Sequence, residues 1–172
     1  MKTDLITKLK RIKLVILDVD GVLTDDTVFI GPEGAEFKRF CIADGLGIVM
    51  ARRQGIITAW LSGRPSPATD IRAKELGVED VFQKPVDKLE FYNHLKEKYA
   101  LSDEAIAYMG NDLVDLGVMK QCGLAVTVLD APTPLQERAD YITNKAGGLG
   151  AVRELMDMLL DARGIKEEDR LA

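Results

Sequence analysis

Short apolar runs alternate with amphipathic stretches along most of this chain. Leu14 to Leu17, Ile56 to Leu61, Val81 to Gln83, Ala105 to Met109 and Leu124 to Val128 are brief runs rich in branched or aromatic residues. Bounded by turn formers, they predict buried strands, with Tyr141 to Ile142 as an edge strand. The stretches between them predict helices. Asp44 is placed as an N-cap, with Leu46, Val49 and Met50 on one face before Gly55 stops the helix. A second helix runs to Leu76 and ends at Gly77, and a third from about Lys88 to Tyr99 carries the stripe Leu89, Tyr92, Leu95, Tyr99. Asp112 to Cys122 and Thr133 to Arg138 follow, and Lys2 to Lys10 reads as a lead-in helix. The last helix has the plainest pattern: Val152, Leu155, Met156, Leu159 and Leu160 fall at i, i+3, i+4, i+7, i+8.

Strand and helix in alternation predict an α/β fold of three layers, Rossmann-like, with a mainly parallel sheet covered by helices on both faces. One segment breaks the alternation. Thr27 to Ile30 and Glu36 to Phe40 flank Gly31-Pro32-Glu33-Gly34, which predicts a small β-hairpin insertion over about 27–40. Gly164 to Ala172 reads as a polar tail with no core face. With no repeat and no linker, residues 1–172 form a single domain.

Composition narrows the function. The 172 residues are 47% hydrophobic and 30% charged, ordinary for a globular chain with a real core. A net charge of −5 gives no electrostatic reason to bind nucleic acid or an anionic membrane. A phosphate-bearing substrate would need local attraction from a metal ion or a few placed cations. No apolar run reaches membrane-spanning length. Cys41 and Cys122 lack metal-ligand spacing and read as reduced thiols of a cytoplasmic protein.

The chemistry concentrates after the first strand, in Asp18-Val19-Asp20-Gly21. Gly21 disfavours continuation of the strand, so both carboxylates sit at its C-terminal mouth, where ligands bind in open α/β sheets. Two close carboxylates repel unless a cation lies between them or one holds a proton. The string DVDGVLTD resembles the first motif of the haloacid dehalogenase superfamily of phosphohydrolases. The chain from about Leu14 to Ala162 is similar to that superfamily's small sugar-acid phosphatases. LSGR at Leu61 to Arg64, DKL at Asp87 to Leu89, GNDLVD at Gly110 to Asp115 and GGLGAVRE at Gly147 to Glu154 carry the resemblance further.

The resemblance implies a role for each matched residue. Asp18 would attack phosphorus to give an aspartyl-phosphate, which water then hydrolyses. Asp20 would protonate the leaving oxygen and then deprotonate the water. Mg²⁺ would be held by Asp18, the Asp20 main-chain carbonyl and Asn111, with Asp112 as the alternative ligand. Asn111 departs from the family pattern, which commonly has aspartate there. Ser62 would hold phosphoryl oxygens. Two lysines compete to neutralise charge on Asp18 and the phosphoryl group, Lys84 and Lys88. The family alignment falls on Lys88, which also opens a helix. Asp115 would orient the site from behind, and Thr24, Gly63 and Arg64 would contact substrate. Arg64 suits a carboxylate, and the resemblance favours a 3-deoxy-octulosonate 8-phosphate, because phosphatases for that substrate often carry arginine after this serine-glycine pair whereas some nonulosonate relatives carry an acid. A nine-carbon sialic-acid-like 9-phosphate is the competing substrate, and a weakly active domain kept for assembly or regulation is the competing class.

Spacing bears on assembly. Asp18 and Ser62 stand 44 positions apart (62 − 18), and Ser62 and Lys88 stand 26 apart (88 − 62). Neither interval holds a cap domain. An open site would expose the intermediate to water. Val28, Phe29, Ile30, Phe37 and Phe40 make the hairpin too apolar to stand free. The expectation is a homo-oligomer, which the resemblance implies is a tetramer, with hairpins packed at its centre and each site covered by a neighbour.

Overall fold

The computed structural model describes residues 3–83 and 87–172. Helix α1 (Thr3–Arg11) leads into β1 (Leu14–Asp18); β2 (Phe29–Ile30), β3 (Glu36–Phe37), α2 (Ile42–Arg53), β4 (Ile57–Ser62), α3 (Pro67–Leu76) and β5 (Asp80–Gln83) follow. The second half runs α4 (Lys88–Lys98), β6 (Ile106–Gly110), α5 (Leu116–Met119), β7 (Leu124–Thr127), α6 (Thr133–Gln136), β8 (Tyr141–Ile142) and α7 (Ala151–Ala162). Six strands form one sheet in the order β5-β4-β1-β6-β7-β8, and every pair is parallel. Strand β1 lies near the centre and is buried along its whole length. Parallel neighbours need crossover helices, and these supply the two outer layers. Helices α1, α2 and α7 pack together, as do α4 and α5. The remaining pair, β2 and β3, is a separate antiparallel hairpin.

Register places the chemistry. Asp18 pairs with Leu61, so Ser62 ends β4 one residue beyond it. Gly110 ends β6 on the other side of β1. The residues after β1, β4 and β6 therefore converge on one sheet edge, where the order reverses about β1.

Four local expectations change. The predicted cap Asp44 lies inside the first turn of α2, is 1% exposed, and caps α7 instead: its carboxylate accepts from the backbone N–H of Gly150 at 3.3 Å and of Arg153 at 2.7 Å. Met50 of the expected face is buried, but the buried side of α2 also takes in Gly47, Ile48 and Ala51, whereas Leu46 is 41% exposed. A Cβ on Gly47 would stand 3.0 Å from Arg153 Cδ and 3.2 Å from its Cα, so close helix approach, not an apolar stripe, chose that face. The stretch 112–122 is not one helix. A 3-10 turn over Leu113–Asp115 precedes the single-turn α5. Finally, the tail is docked. Arg170 is 6% exposed and pairs with Asp157 at 2.8 Å and with Asp161, while Gln54 donates to the Asp169 carbonyl at 2.9 Å. Ile165 packs against the core, and charge pairs that an apolar pattern cannot reveal hold the rest of this segment. Lys2, placed in the lead-in helix, lies outside the described residues.

The hairpin strands are only two residues each. Phe29, Ile30 and Phe37 are 60%, 71% and 61% exposed, as expected for an uncovered hairpin. Phe40 differs: it stacks on the buried Trp60, with ring centroids 6.3 Å apart.

Candidate active site

The turn after β1 is built on one acceptor. The Val19 carbonyl receives the N–H groups of Val22, Leu23 and Thr24. Gly21 has φ +81°, and a Cβ there would lie 1.9 Å from the Asn111 amide nitrogen. Only glycine allows both the turn and the approach of Asn111. Gly147 and Gly148 close the turn from behind. Gly148 N–H donates to the Val22 carbonyl at 2.9 Å, and a Cβ on Gly148 would meet the Thr24 backbone at 2.5 Å.

Asp18 and Lys88 form the buried centre. Lys88 Nζ donates to Asp18 Oδ2 at 2.7 Å and to Asp115 Oδ1 at 2.6 Å, and all three side chains are less than 10% exposed. Asp115 has no spare oxygen. Its Oδ1 also accepts from Tyr108 Oη at 2.6 Å, and its Oδ2 from the N–H groups of Asn111 at 2.9 Å and Asp112 at 3.1 Å. Burial pushes the Asp18 carboxyl up to about 7; the Asp115 charge adds to this, and Lys88 opposes it. Burial disfavours the Lys88 ammonium, but Asp18 and Asp115 outweigh it and hold its pKa above the ordinary value. A lone buried ammonium would lose its proton, so this lysine keeps its charge through its two carboxylates.

Asp20 stands at the rim. Its Oδ1 takes a 2.6 Å bond from Lys38, and its Oδ2 lies 3.5 Å from Ser62 Oγ. Ser62 Oγ in turn accepts from the Arg64 N–H at 3.0 Å. The Arg64 guanidinium is half-exposed and pairs with Glu36 at 2.6 Å. A cavity of about 310 Å³ joins these groups; its walls are Asp18, Asp20, Asp26, Thr27, Ser62, Gly63, Arg64, Lys88, Asn111, Asp112 and Val114.

The donor set fits a hard divalent cation. The Asn111 amide oxygen faces two other acceptors, the Asp20 carbonyl at 3.0 Å and Asp18 Oδ2 at 3.2 Å. Three oxygens aimed at one another repel unless a cation joins them or the amide turns over. Metal–oxygen distances of 2.0–2.1 Å put adjacent octahedral ligands about 3 Å apart, which matches this spacing. Among the described residues, no three Asp, Glu, His or Cys side chains form a metal-binding group. An ion here would therefore rest on one carboxylate, one main-chain carbonyl and one amide.

Most of the residues singled out from sequence thus line one cavity, but two do not. Thr24 is fully buried, and its hydroxyl is engaged by the Gly21 N–H at 3.3 Å and the Val19 carbonyl at 3.4 Å. It shapes the turn and is not on the cavity wall. Asp115 lies behind Lys88. Asp112 is exposed on the wall and caps the following turn through Leu113 N–H at 2.6 Å. Lys84, the competitor of Lys88, lies outside the described residues. Sequence reading missed Lys38, Glu36, Tyr108 and Asp26. The alternation of Glu36 and Lys38 about Phe37 was the available signal for the first two.

Known proteins resemble the chain along nearly its whole length. A family profile described as haloacid dehalogenase-like hydrolase matches residues 53–155. The chain is 44% identical over 168 residues to the 3-deoxy-D-manno-octulosonate 8-phosphate phosphatase KdsC of Escherichia coli (strain K12), covering 98% of this chain and 89% of that protein. The crystal structure of the corresponding phosphatase from Yersinia pestis superposes with TM-score 0.93 at 39% identity, covering 95% of this chain and 88% of the other. The Moraxella catarrhalis phosphatase, solved with magnesium ion, phosphate ion and KDO, superposes with TM-score 0.92 at 38% identity, covering 96% and 95%.

Proposed function

The chain belongs to the haloacid dehalogenase-like hydrolase family, and from that premise we propose that it is a Mg²⁺-dependent phosphomonoesterase acting on 3-deoxy-D-manno-octulosonate 8-phosphate. The observation that carries the reading is the buried Asp18–Lys88–Asp115 group, open to one cavity beside Asp20 and Asn111. Asp18 is the nucleophile. Its carboxylate attacks phosphorus in line, the bond to the sugar oxygen breaks, and Asp20 supplies that oxygen with a proton. Asp20 then takes a proton from the water that attacks the aspartyl-phosphate, releasing phosphate and restoring Asp18. Lys88 offsets negative charge at Asp18 and on the phosphoryl oxygens. Mg²⁺, held by Asp18, the Asp20 carbonyl and Asn111, supplies Lewis-acid stabilisation of phosphoryl charge when bound. Ser62 and Gly63 hold phosphoryl oxygens, and Arg64 meets the sugar carboxylate.

The described residues hold no cap domain, so neighbouring subunits shield the site. The exposed Phe29, Ile30 and Phe37 support a homotetramer assembled through its hairpins. No helix among the described residues is long and apolar enough to cross a membrane, and Cys41 and Cys122 are free thiols. We assign the chain to the cytoplasm. A turnover panel tests the substrate. The octulosonate 8-phosphate should exceed nine-carbon sialic-acid-like 9-phosphates and simple sugar phosphates in kcat/KM; preference for a nine-carbon substrate would replace this assignment.

A further inference from the structure

We propose that Lys38 is a positioning residue for Asp20, and that through it the hairpin is part of the reacting site; this rests on the acid–base role given to Asp20 above. Glu36, Phe37 and Lys38 follow one another at the end of the hairpin. In extended chain, alternate side chains share a face. Phe37 points outward and is 61% exposed, while its two neighbours turn to the cavity rim. Glu36 pairs with Arg64 at 2.6 Å and Lys38 with Asp20 at 2.6 Å, and Lys38 Nζ lies 3.9 Å from Glu36 Oε1. Four charges of alternating sign thus run in a row from Asp20 to Arg64.

Burial separates this pair from an ordinary surface ion pair. The Lys38 side chain has no solvent exposure, against 27% for Asp20. A surface lysine spends rotamer freedom to hold one geometry and gains little. Here packing has already confined the stem, so the ammonium sits at a fixed place. It occupies Asp20 Oδ1 and leaves Oδ2 beside Ser62, on the cavity wall. Lys38 itself is not on that wall. Its charge reaches the leaving oxygen through Asp20, by fixing which carboxylate oxygen meets the leaving group.

A double-mutant cycle tests this. Lys38→Met should lower kcat for an alkyl phosphate such as the sugar phosphate about tenfold, within the roughly 10²–10⁴-fold that acid–base catalysis supplies. KM should change less than about twofold. The loss should be smaller for an aryl phosphate, whose leaving group needs little help from a proton. In an Asp20→Asn background, Lys38→Met should cost almost nothing more, because the group it positions is gone. Circular dichroism and light scattering establish that each variant is folded and assembled; if Lys38→Met does not fold, Lys38→Gln takes its place in the same cycle. Equal losses in both backgrounds, or equal losses for alkyl and aryl phosphates, would overturn the proposal. Near-wild-type sugar-phosphate turnover by Asp20→Asn alone would instead overturn the acid–base reading beneath it.

Discussion

Replacing Asp44 should loosen the helix that backs the active-site turn. Asp44 sits on α2, yet its carboxylate accepts from two N–H groups at the start of α7. These donors have no partner within their own helix. Asp44→Ala leaves both without an acceptor at a buried position. Loss of a cap costs about 0.5–2 kcal/mol, and a buried donor left unpaired about 1–3 kcal/mol. The Gly150 bond is long at 3.3 Å, so the Arg153 bond at 2.7 Å dominates. Together they give roughly 2–3 kcal/mol, and at about 2–4 °C per kcal/mol for a chain of this size Tm should fall by roughly 5–10 °C. Asp44→Asn keeps an acceptor oxygen and should cost less than about 1 kcal/mol. The pH dependence has a definite sign. Burial raises the Asp44 carboxyl above its ordinary value, against the pull of the Arg153 and Gly150 N–H groups. The stability it contributes is full below the unfolded pKa and is lost as pH rises through the folded one. The advantage of wild type over Asp44→Asn should therefore shrink as pH rises from 4 to 7. Calorimetry of the three proteins across that range measures both effects. An Asp44→Ala protein melting within 1 °C of wild type would refute the cap, and a widening advantage over asparagine would refute the sign.

Asn111→Asp adds a charge where the amide now faces Asp18 and the Asp20 carbonyl, and should lower the Mg²⁺ concentration needed for half-maximal activity. An unchanged or weaker metal dependence would move the ligand role to Asp112. Arg64→Ala should raise KM for sugar-acid phosphates more than for an aryl phosphate, which lacks the carboxylate; equal losses would assign Arg64 to phosphate or to its pairing with Glu36. Light scattering should give a tetramer, and a fully active monomer at micromolar concentration would remove the need for neighbours over the site.

The layers and the strands of this fold were legible because the signals are local: five apolar runs, each bounded by turn formers, became the five long strands of a parallel sheet. The positions of Asp18, Ser62 and Asn111 followed, since each stands at or just after a strand's C-terminal end. Pairings across long stretches of chain were not legible. Lys38 reaches Asp20 from the hairpin, Asp44 caps a helix more than a hundred residues later, and Arg170 is held by α7. Each depends on charge and close packing between elements, where periodicity carries no information. Thr24 misled for a related reason. The resemblance implied a substrate contact, but the turn's own backbone engages this hydroxyl.

The central claim is that Asp18 attacks phosphorus, and one comparison tests it most directly. Phosphate release from 3-deoxy-D-manno-octulosonate 8-phosphate at saturating Mg²⁺ is measured for wild type and Asp18→Asn, both verified as folded. An amide of the same shape is a poor nucleophile, so turnover should fall roughly 10⁴-fold or more. Release at a rate near wild type would contradict the covalent mechanism and the assignment of Asp18.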